Sequence, residues 1–263
     1  MKDNQYSSLA GVYNALNYGC DYVGYADFLK EEICRWEKSP TGLLLDLACG
    51  TGVLTLLMRE RGYDMTGVDI SQDMLACARQ ECVDRGIGDV LYLCQDMRSF
   101  ELFGTVDGCI SCLDSINYLT KISDVRACFK TVYNYLVPNG VFIFDVNTPY
   151  RFKEVYGNND YILENEGSLL AWQNEYNEKN GLCRFYLSVF VENDDGTYTR
   201  SDEVQKERCY TRRQIEGALK DTGFEVLAVY GGTDRHNPRD DDEKWYFVAR
   251  CVKTEGDPNY KAD

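Results

Sequence analysis

Basic residues are scarce in this 263-residue chain, with 28 Lys and Arg against 43 Asp and Glu, a formal net charge of −15. Proteins that grip nucleic acid through its phosphates present a basic face, so this balance argues against a polynucleotide substrate. No apolar run approaches the roughly 20 residues needed to span a bilayer. No apolar signal segment follows Met1 in "MKDNQYSSLAGVYNAL", so a cytoplasmic protein with no membrane partner is expected. Histidine occurs once, at His236 in "TDRHNPRD", and is read as a surface residue rather than a substrate contact. The twelve cysteines lie scattered instead of forming a disulfide framework, and free thiols are the simpler expectation. "CISC" has C-x-x-C spacing, but on a strand Cys109 and Cys112 point to opposite faces, and no second Cys pair or His set accompanies them. Both are expected to be buried and inert, and no metal site is expected.

With 44% apolar and 27% charged residues the chain is expected to fold rather than remain disordered. Helical spacing in "DYVGYADFLKEEICRWEK" gives way to an alternation of apolar strands and amphipathic helices. "GLLLDLA", "YDMTGVDI", "DVLYLCQD", "VDGCISCL" and "GVFIFDVN" read as strands. Between them "TGVLTLLMRERG", "SQDMLACARQECVDRG" with Ser71 as N-cap, and "SDVRACFKTVYNYL" read as helices. Val/Ile/Leu-rich strands separated by helices imply a parallel sheet covered on both faces, a doubly wound α/β arrangement. Past Pro149 the rhythm changes. "SLLAWQNEYNEK", "LCRFYLSVFVEN" and "TYTRSDEVQKERCY" alternate like strands, with "NDDGT" as a hairpin turn. A helix, "TRRQIEGALKDTG", and two further strands, "FEVLAVYG" and "KWYFVARCV", then restore the α/β pattern. The expected division is residues 1–149, an α/β domain with an N-terminal helical segment; 150–210, an antiparallel insertion; and 211–263, the completion of the α/β domain. "DRHNPRDDDEK" is read as a solvated loop.

Ligands of open α/β sheets sit at the carboxyl ends of the strands. Gly50 and Gly52 fall at the first such end, in "LLLDLACGTG", where bare backbone lets a ligand approach closely. A dinucleotide fingerprint would be G-x-G-x-x-G, which is missing, and Asp46 just before the turn would repel a diphosphate while suiting an ammonium group. Asp69, ending the second strand, can accept both hydroxyls of a ribose. Asp96 ends the third and can accept from an adenine amine, with Ile70 and Met97 offering apolar faces to the base. Three acids at three successive strand ends describe a cleft for a cationic nucleoside such as S-adenosylmethionine.

Through "LDLACGTG", "GVDISQDML", "CQDM", "CLDSINYL" and "VPNGVFIFDVN" the chain resembles the class I S-adenosylmethionine-dependent methyltransferases, over residues 12 to about 147 and more loosely through "EVQKERCYTRRQIEGALKDTGFEV". Within that class it is similar to a bacterial group related to the glycine and amino-sugar N-methyltransferases. The resemblance implies a doubly wound, seven-stranded Rossmann-like sheet with an inserted antiparallel β lid, and S-adenosylmethionine as cofactor. It implies that Asp46, Ala48, Gly50 and Gly52 hold the methionine part, Asp69 the ribose, and Asp96 and Met97 the adenine, while Leu113 and Ser115 line the sulfonium side. Tyr13 matches a tyrosine that closes over the cofactor, although the aspartate that follows it in the family is Asn14 here.

Methyl transfer is an in-line displacement in which the protein acts mainly by positioning, and an amine acceptor must also lose its proton. Asp114, Asn117 and Tyr118 in "CLDSINYL" are the candidates for the junction where acceptor meets methyl, with Asp114 and Tyr118 as candidate catalytic residues; helix capping and packing are the alternative. Relatives often carry His at the position of Gln205, which can only hydrogen-bond. "NTPY", residues 147–150, is read as a turn entering the lid. The lid aromatics Trp172, Tyr176, Phe185, Tyr186, Phe190 and Tyr198 are expected to form a core, with one or two facing the cleft. The expected function is methylation of a small molecule, most simply an amine. RNA-base methylation and a non-catalytic cofactor-binding role are the alternatives, and oligomeric state is open.

Overall fold

The computed structural model describes residues 10, 13–16, 19–36, 42–165 and 167–253. After the short α1 (Tyr13–Leu16) and α2 (Tyr22–Trp36), the chain alternates β1 (Leu43–Leu47), α3 (Val53–Glu60), β2 (Asp64–Asp69), α4 (Gln72–Asp84), β3 (Leu91–Cys94), β4 (Val106–Ser111), α5 (Ile122–Tyr135) and β5 (Leu136–Asn147). The lid strands β6 (Asp160–Asn165), β7 (Ser168–Asn177), β8 (Leu182–Glu192) and β9 (Tyr198–Arg208) follow, then α6 (Arg212–Asp221), β10 (Phe224–Tyr230) and β11 (Lys244–Cys251).

Seven strands form one sheet in the order β10-β11-β5-β4-β1-β2-β3. Six strands run in one direction, and β11 alone is antiparallel, between β10 and β5. The chain builds outward from β1 to β3, then crosses back to β4 on the other side of β1. The order therefore reverses between β1 and β4, where a crevice opens at the carboxyl ends. Side-chain alternation splits the core in two: Leu45, Phe142 and Phe144 face α5 and α6, whereas Leu44, Ile143 and Val248 face α2 and α3. Cys109 joins the first cluster and Cys112 the second, as the three-residue spacing requires, and burial pushes both thiols well above their ordinary range.

Local chemistry sets the helix ends. The Ser71 hydroxyl accepts the Met74 N–H at 3.3 Å to start α4, and a Thr211/Gln214 capping box starts α6. All twelve cysteines are free thiols. Among the described residues no helix is long and apolar enough to cross a membrane.

The inserted segment is an antiparallel meander, β6-β7-β8-β9, packed on its own core of Phe152, Tyr156, Leu170, Phe185, Leu187 and Val189. The "NDDGT" turn closes as expected, with Asn193 N–H donating to the Thr197 carbonyl at 2.8 Å and Gly196 at φ 79°. Two features differ from the sequence reading. The edge strand β6 was not anticipated, because its polar residues and partial burial carry little strand signal. "NTPY" is the entry to a helical segment rather than a simple turn: the chain is helical from Pro149 and continues as a π-helix over Arg151–Tyr156, with the Thr148 hydroxyl accepting the Arg151 N–H at 3.1 Å. Wide helical turns of this type recur at functional sites, and this one delivers Arg151 and Tyr156 beneath the lid.

Candidate active site

A cleft of about 300 Å³ opens at the tips of β1, β2, β3 and β4. It gathers Tyr13, Asp46, Ala48, Gly50, Asp69, Ile70, Asp96, Met97, Leu113 and Ser115, all but one of the residues read from the sequence as cofactor-binding. The exception is Gly52. Both glycines have left-handed backbone, φ 56° at Gly50 and 76° at Gly52, but they are bare for different reasons. A Cβ on Gly50 would meet no atom within 4 Å. On Gly52 it would lie 2.4 Å from the Tyr92 hydroxyl and 3.1 Å from the Ala78 Cβ. Gly52 therefore makes room for β3's Tyr92 and does not itself line the cleft.

The three strand-tip acids differ in state. Asp46 is buried, accepts the Thr55 hydroxyl at 2.5 Å, and forms no ion pair among the described residues. Burial, with a further push from Asp69, raises its carboxyl to about 7. Asp69 ties the glycine turn to its own strand, accepting the Gly50 N–H at 2.9 Å and the Ser71 N–H at 2.8 Å. Burial raises it despite those bonds. Asp96 is clamped instead: Arg98 donates from Nη2 at 2.5 Å, from Nε at 2.9 and 3.1 Å, and from its backbone N–H at 2.9 Å, and holds the carboxyl below its ordinary range. An adenine amine approaching Asp96 must share those lone pairs with Arg98. Asn14, where the family has aspartate, accepts the Thr51 hydroxyl at 2.7 Å through its amide oxygen and so still anchors α1 to the turn.

Beneath the lid lies a second cavity of about 400 Å³. Tyr13, Leu113 and Tyr118 line both spaces and form the wall between them. That wall is held from below by Asp145, a fully buried acid of β5. Its carboxylate accepts the Leu113 and Asp114 N–H groups at 2.7 Å each, Lys244 Nζ at 2.9 Å, and the Tyr25 hydroxyl. Leu113 and Asp114 both sit at φ 57°, a strained conformation for residues with side chains that this acid makes tenable. Asp114 caps no helix with its side chain; its carboxylate accepts Lys244 Nζ at 2.7 Å and lines the lid cavity.

Sequence reasoning missed Asp145, Glu207, Lys244, Arg151 and Tyr156. Lys244, the last residue of the stretch read as a solvated loop and the first of the strand read in "KWYFVARCV", does open β11, but its reach into the lid cavity was not foreseen; Arg151 Nη1 donates to Glu243 at 2.7 Å beside it. His236 stays apart from both cavities, bridging Asp234 at 2.5 Å and Asp242 at 2.9 Å. Asn117 lines neither cavity, because its amide is spent on backbone, donating to the Arg208 carbonyl and accepting the Asn147 N–H, both at 2.9 Å. It joins the sheet to the base of the lid. Of the lid aromatics, Trp172 and Phe185 line the cavity, whereas Tyr186 and Tyr198 are exposed.

The methyltransferase domain family matches residues 44–140 of the chain. Putative methyltransferase YqeM of Bacillus subtilis is 32% identical over 250 residues, 95% of this chain and 98% of the relative. The chain belongs to the class I S-adenosylmethionine-dependent methyltransferases. A methyltransferase of this kind from Clostridium acetobutylicum has a solved structure that superposes with a TM-score of 0.84 at 30% identity, covering 95% of this chain and 100% of that one. At 25% identity, over 85% of this chain and 92% of the relative, stands the dTDP-3-amino-3,4,6-trideoxy-alpha-D-glucopyranose N,N-dimethyltransferase of Streptomyces venezuelae.

S-adenosylmethionine fits the cleft of this methyltransferase on two structural grounds. The bare Gly50 backbone leaves open the space a Cβ would fill, and Asp46 is a buried acid without a basic partner among the described residues. The second ground gives a pH dependence. A ligand ammonium needs Asp46 ionised, yet in the free protein the carboxyl is half protonated near 7. Below that pH each bound cation must displace a proton, so affinity should fall about tenfold per pH unit between roughly pH 7 and pH 5.5, and level off above. Calorimetric titration should show this slope, and Asp46→Asn should bind weakly with the slope gone; a wild-type affinity independent of pH would contradict it.

Proposed function

We propose that this methyltransferase N-methylates a small amine held beneath the lid. The observation that carries this reading is the shared wall of Tyr13, Leu113 and Tyr118, which puts a cavity with carboxyl groups in its floor directly beside the cofactor cleft. Asp114 and Glu207 line the cavity beside Arg151 and Lys244, and both bases are already paired with carboxylates, Lys244 with Asp114 and Asp145 and Arg151 with Glu243, which leaves carboxyl groups in the floor to meet an amine. The N,N-dimethylation of an amino sugar for which the Streptomyces venezuelae relative is named supports the same chemistry.

S-adenosylmethionine supplies an electrophilic methyl group on sulfonium. Asp46 and the backbone at Ala48 and Gly50 would hold its methionine end, Asp69 its ribose, and Ile70, Asp96 and Met97 its adenine, with Leu113 and Ser115 beside the sulfur. The Tyr118 hydroxyl donates to Gln205 Oε1 at 2.8 Å, and Gln205 Nε2 donates to Glu203 at 2.8 Å. This chain fixes the direction of the Tyr118 bond, so its oxygen presents an acceptor to an amine N–H at the wall. The lid, residues 150–210 as one functional unit, keeps water from that junction, and positioning of the acceptor supplies most of the rate.

Incubation with methyl-labelled S-adenosylmethionine and a cell extract tests the reading. Label is expected in a basic small molecule; label confined to RNA or protein, or no transfer with cofactor bound, would contradict it.

A further inference from the structure

The single histidine of the chain stands across the neck of the loop that joins β10 to β11, residues 231–243. His236 Nδ1 lies 2.5 Å from an Asp234 carboxylate oxygen, and Nε2 lies 2.9 Å from one of Asp242. A neutral imidazole has one N–H and one lone pair, so it satisfies one of these carboxylates and turns its lone pair on the other. Only the imidazolium donates to both. The backbone is shaped for this bridge. A Cβ on Gly231 would overlap the Asp242 carboxylate and the imidazole Nε2, and one on Gly232 would stand 2.8 Å from the ring Cε1. Gly231 N–H also donates to the His236 carbonyl at 2.9 Å.

From Asp242 the loop runs directly into the floor of the lid cavity. The Asp242 carboxylate accepts the Arg239 N–H as well, at 2.6 Å, and its carbonyl accepts the Thr148 hydroxyl at 2.6 Å. The Glu243 carbonyl accepts the Thr148 N–H at 3.0 Å, and its carboxylate holds Arg151 Nη1 at 2.7 Å. Thr148 in turn accepts the Arg151 N–H at the start of the helical segment that brings Arg151 and Tyr156 to the cavity. Lys244 follows at once, with Nζ 2.7 Å from Asp114. At its other end the loop is fixed to α2, where Arg235 donates to Glu32 at 2.5 Å and to Glu31 at 2.7 Å. His236 closes the loop between these two anchors.

We propose that His236 is a positioning residue for methyl transfer: its protonated ring clasps the 231–243 loop and so sets Thr148, Arg151 and Lys244 at the lid cavity, whose shape therefore follows pH in the neutral range. This rests on the lid cavity as the acceptor site and not on the acceptor being an amine. Asp242 and then Asp234 are the charges that face the ring, and they raise its pKa above the ordinary value. The acids of α2 face Arg235 instead, with Arg35 and Tyr230 also on Glu32. Because the folded value is the raised one, the clasp is complete below the ordinary histidine value of about 6.5 and is lost as pH climbs through the raised value.

Nuclear magnetic resonance reads both ends of this coupling, since the chain has one histidine and three tryptophans. Trp172 lines the lid cavity, with its ring 5.6 Å from that of Tyr156. In protein carrying 5-fluorotryptophan its signal is assigned by loss in Trp172→Phe. His236 is expected to titrate above its ordinary value, and the Trp172 signal to shift with the same midpoint. In His236→Gln the Trp172 signal should stay, at every pH, where the wild-type signal lies at high pH. Asp234→Asn changes a carboxylate that is 75% exposed and should lower both midpoints together.

Rates of label transfer to the small molecules of a cell extract, at saturating S-adenosylmethionine, give the second readout. The ratio of wild type to His236→Gln cancels the acceptor's own ionisation. It should be at least about fivefold at pH 6, as for a loss of positioning, and fall toward one by about pH 9. A Trp172 signal that stays still while His236 titrates, or a ratio independent of pH, would overturn the positioning role. A histidine midpoint at or below the ordinary value would overturn the clasp itself. Label found in small molecules that are not amines, with the ratio falling as expected, would refute N-methylation and leave the role of His236 supported.

Discussion

Gly50→Asn is expected to fold normally and to bind S-adenosylmethionine at least about a hundredfold more weakly, close to 3 kcal/mol. Asparagine tolerates the left-handed backbone at this position better than other side chains, so the strain is small. Its Cβ meets no protein atom, and the rest of the side chain enters the cleft where the backbone now stands bare. Gly52→Asn, two residues on, should do the reverse. There the new Cβ overlaps the Tyr92 hydroxyl, and the ring cannot swing aside because it also fits against Gly67, whose Cβ would lie 2.7 Å from it. Overpacking of this kind costs about 1–3 kcal/mol. Thermal unfolding and calorimetric titration on the pair of variants separate the two jobs: the midpoint falls in Gly52→Asn, and cofactor affinity falls in Gly50→Asn. An affinity loss confined to Gly52→Asn would contradict the assignment.

Asp145→Ala should be the most damaging single change at the site. It removes the acceptor for two backbone N–H groups in strained left-handed conformation, for Lys244 and for Tyr25 together. Breaking a buried ion pair by removing one partner costs about 3–5 kcal/mol. For a chain of this size that corresponds to a fall in thermal midpoint of about 10 °C. Methyl transfer should be lost as well, even below the new midpoint, because Leu113 belongs to both cavities and Asp114 would lose its fixed place at the wall. Asp145→Asn keeps one oxygen for the turn and should fall between wild type and Asp145→Ala in both respects. Midpoints for Asp145→Ala within a degree or two of wild type would contradict the role given to this acid.

The α/β part and the cofactor cleft were legible in the sequence because their signals are local. A strand, a bare turn and an acid at the strand tip stand within ten residues of one another in "LLLDLACGTG". The acceptor cavity was not legible, since its walls come from elements far apart in the chain: Asp114, Arg151, Glu207 and Lys244 meet only after β5, β9 and β11 are in place. Two signals were nonetheless present. Asp145 interrupts an otherwise apolar central strand in "FIFDVN", as Asp46 does in β1, and a charge there must be held by partners. In β9 the alternation is inverted: Glu203, Gln205 and Glu207 point inward while Val204 is 47% exposed, which marks a strand whose buried face serves a polar cavity. Lys244 was hidden by its neighbours, because an acidic run just before it reads as solvated even though "WYFVAR" follows at once.

A crystal structure with S-adenosylhomocysteine bound bears most directly on whether the methyl group crosses the wall between the two cavities. The sulfur should lie against Leu113 and Tyr118 and face the lid cavity, with the adenine beside Ile70 and Met97 and the amino group at Asp46. A sulfur turned away from that wall, or a cleft left vacant at saturating ligand, would contradict the account.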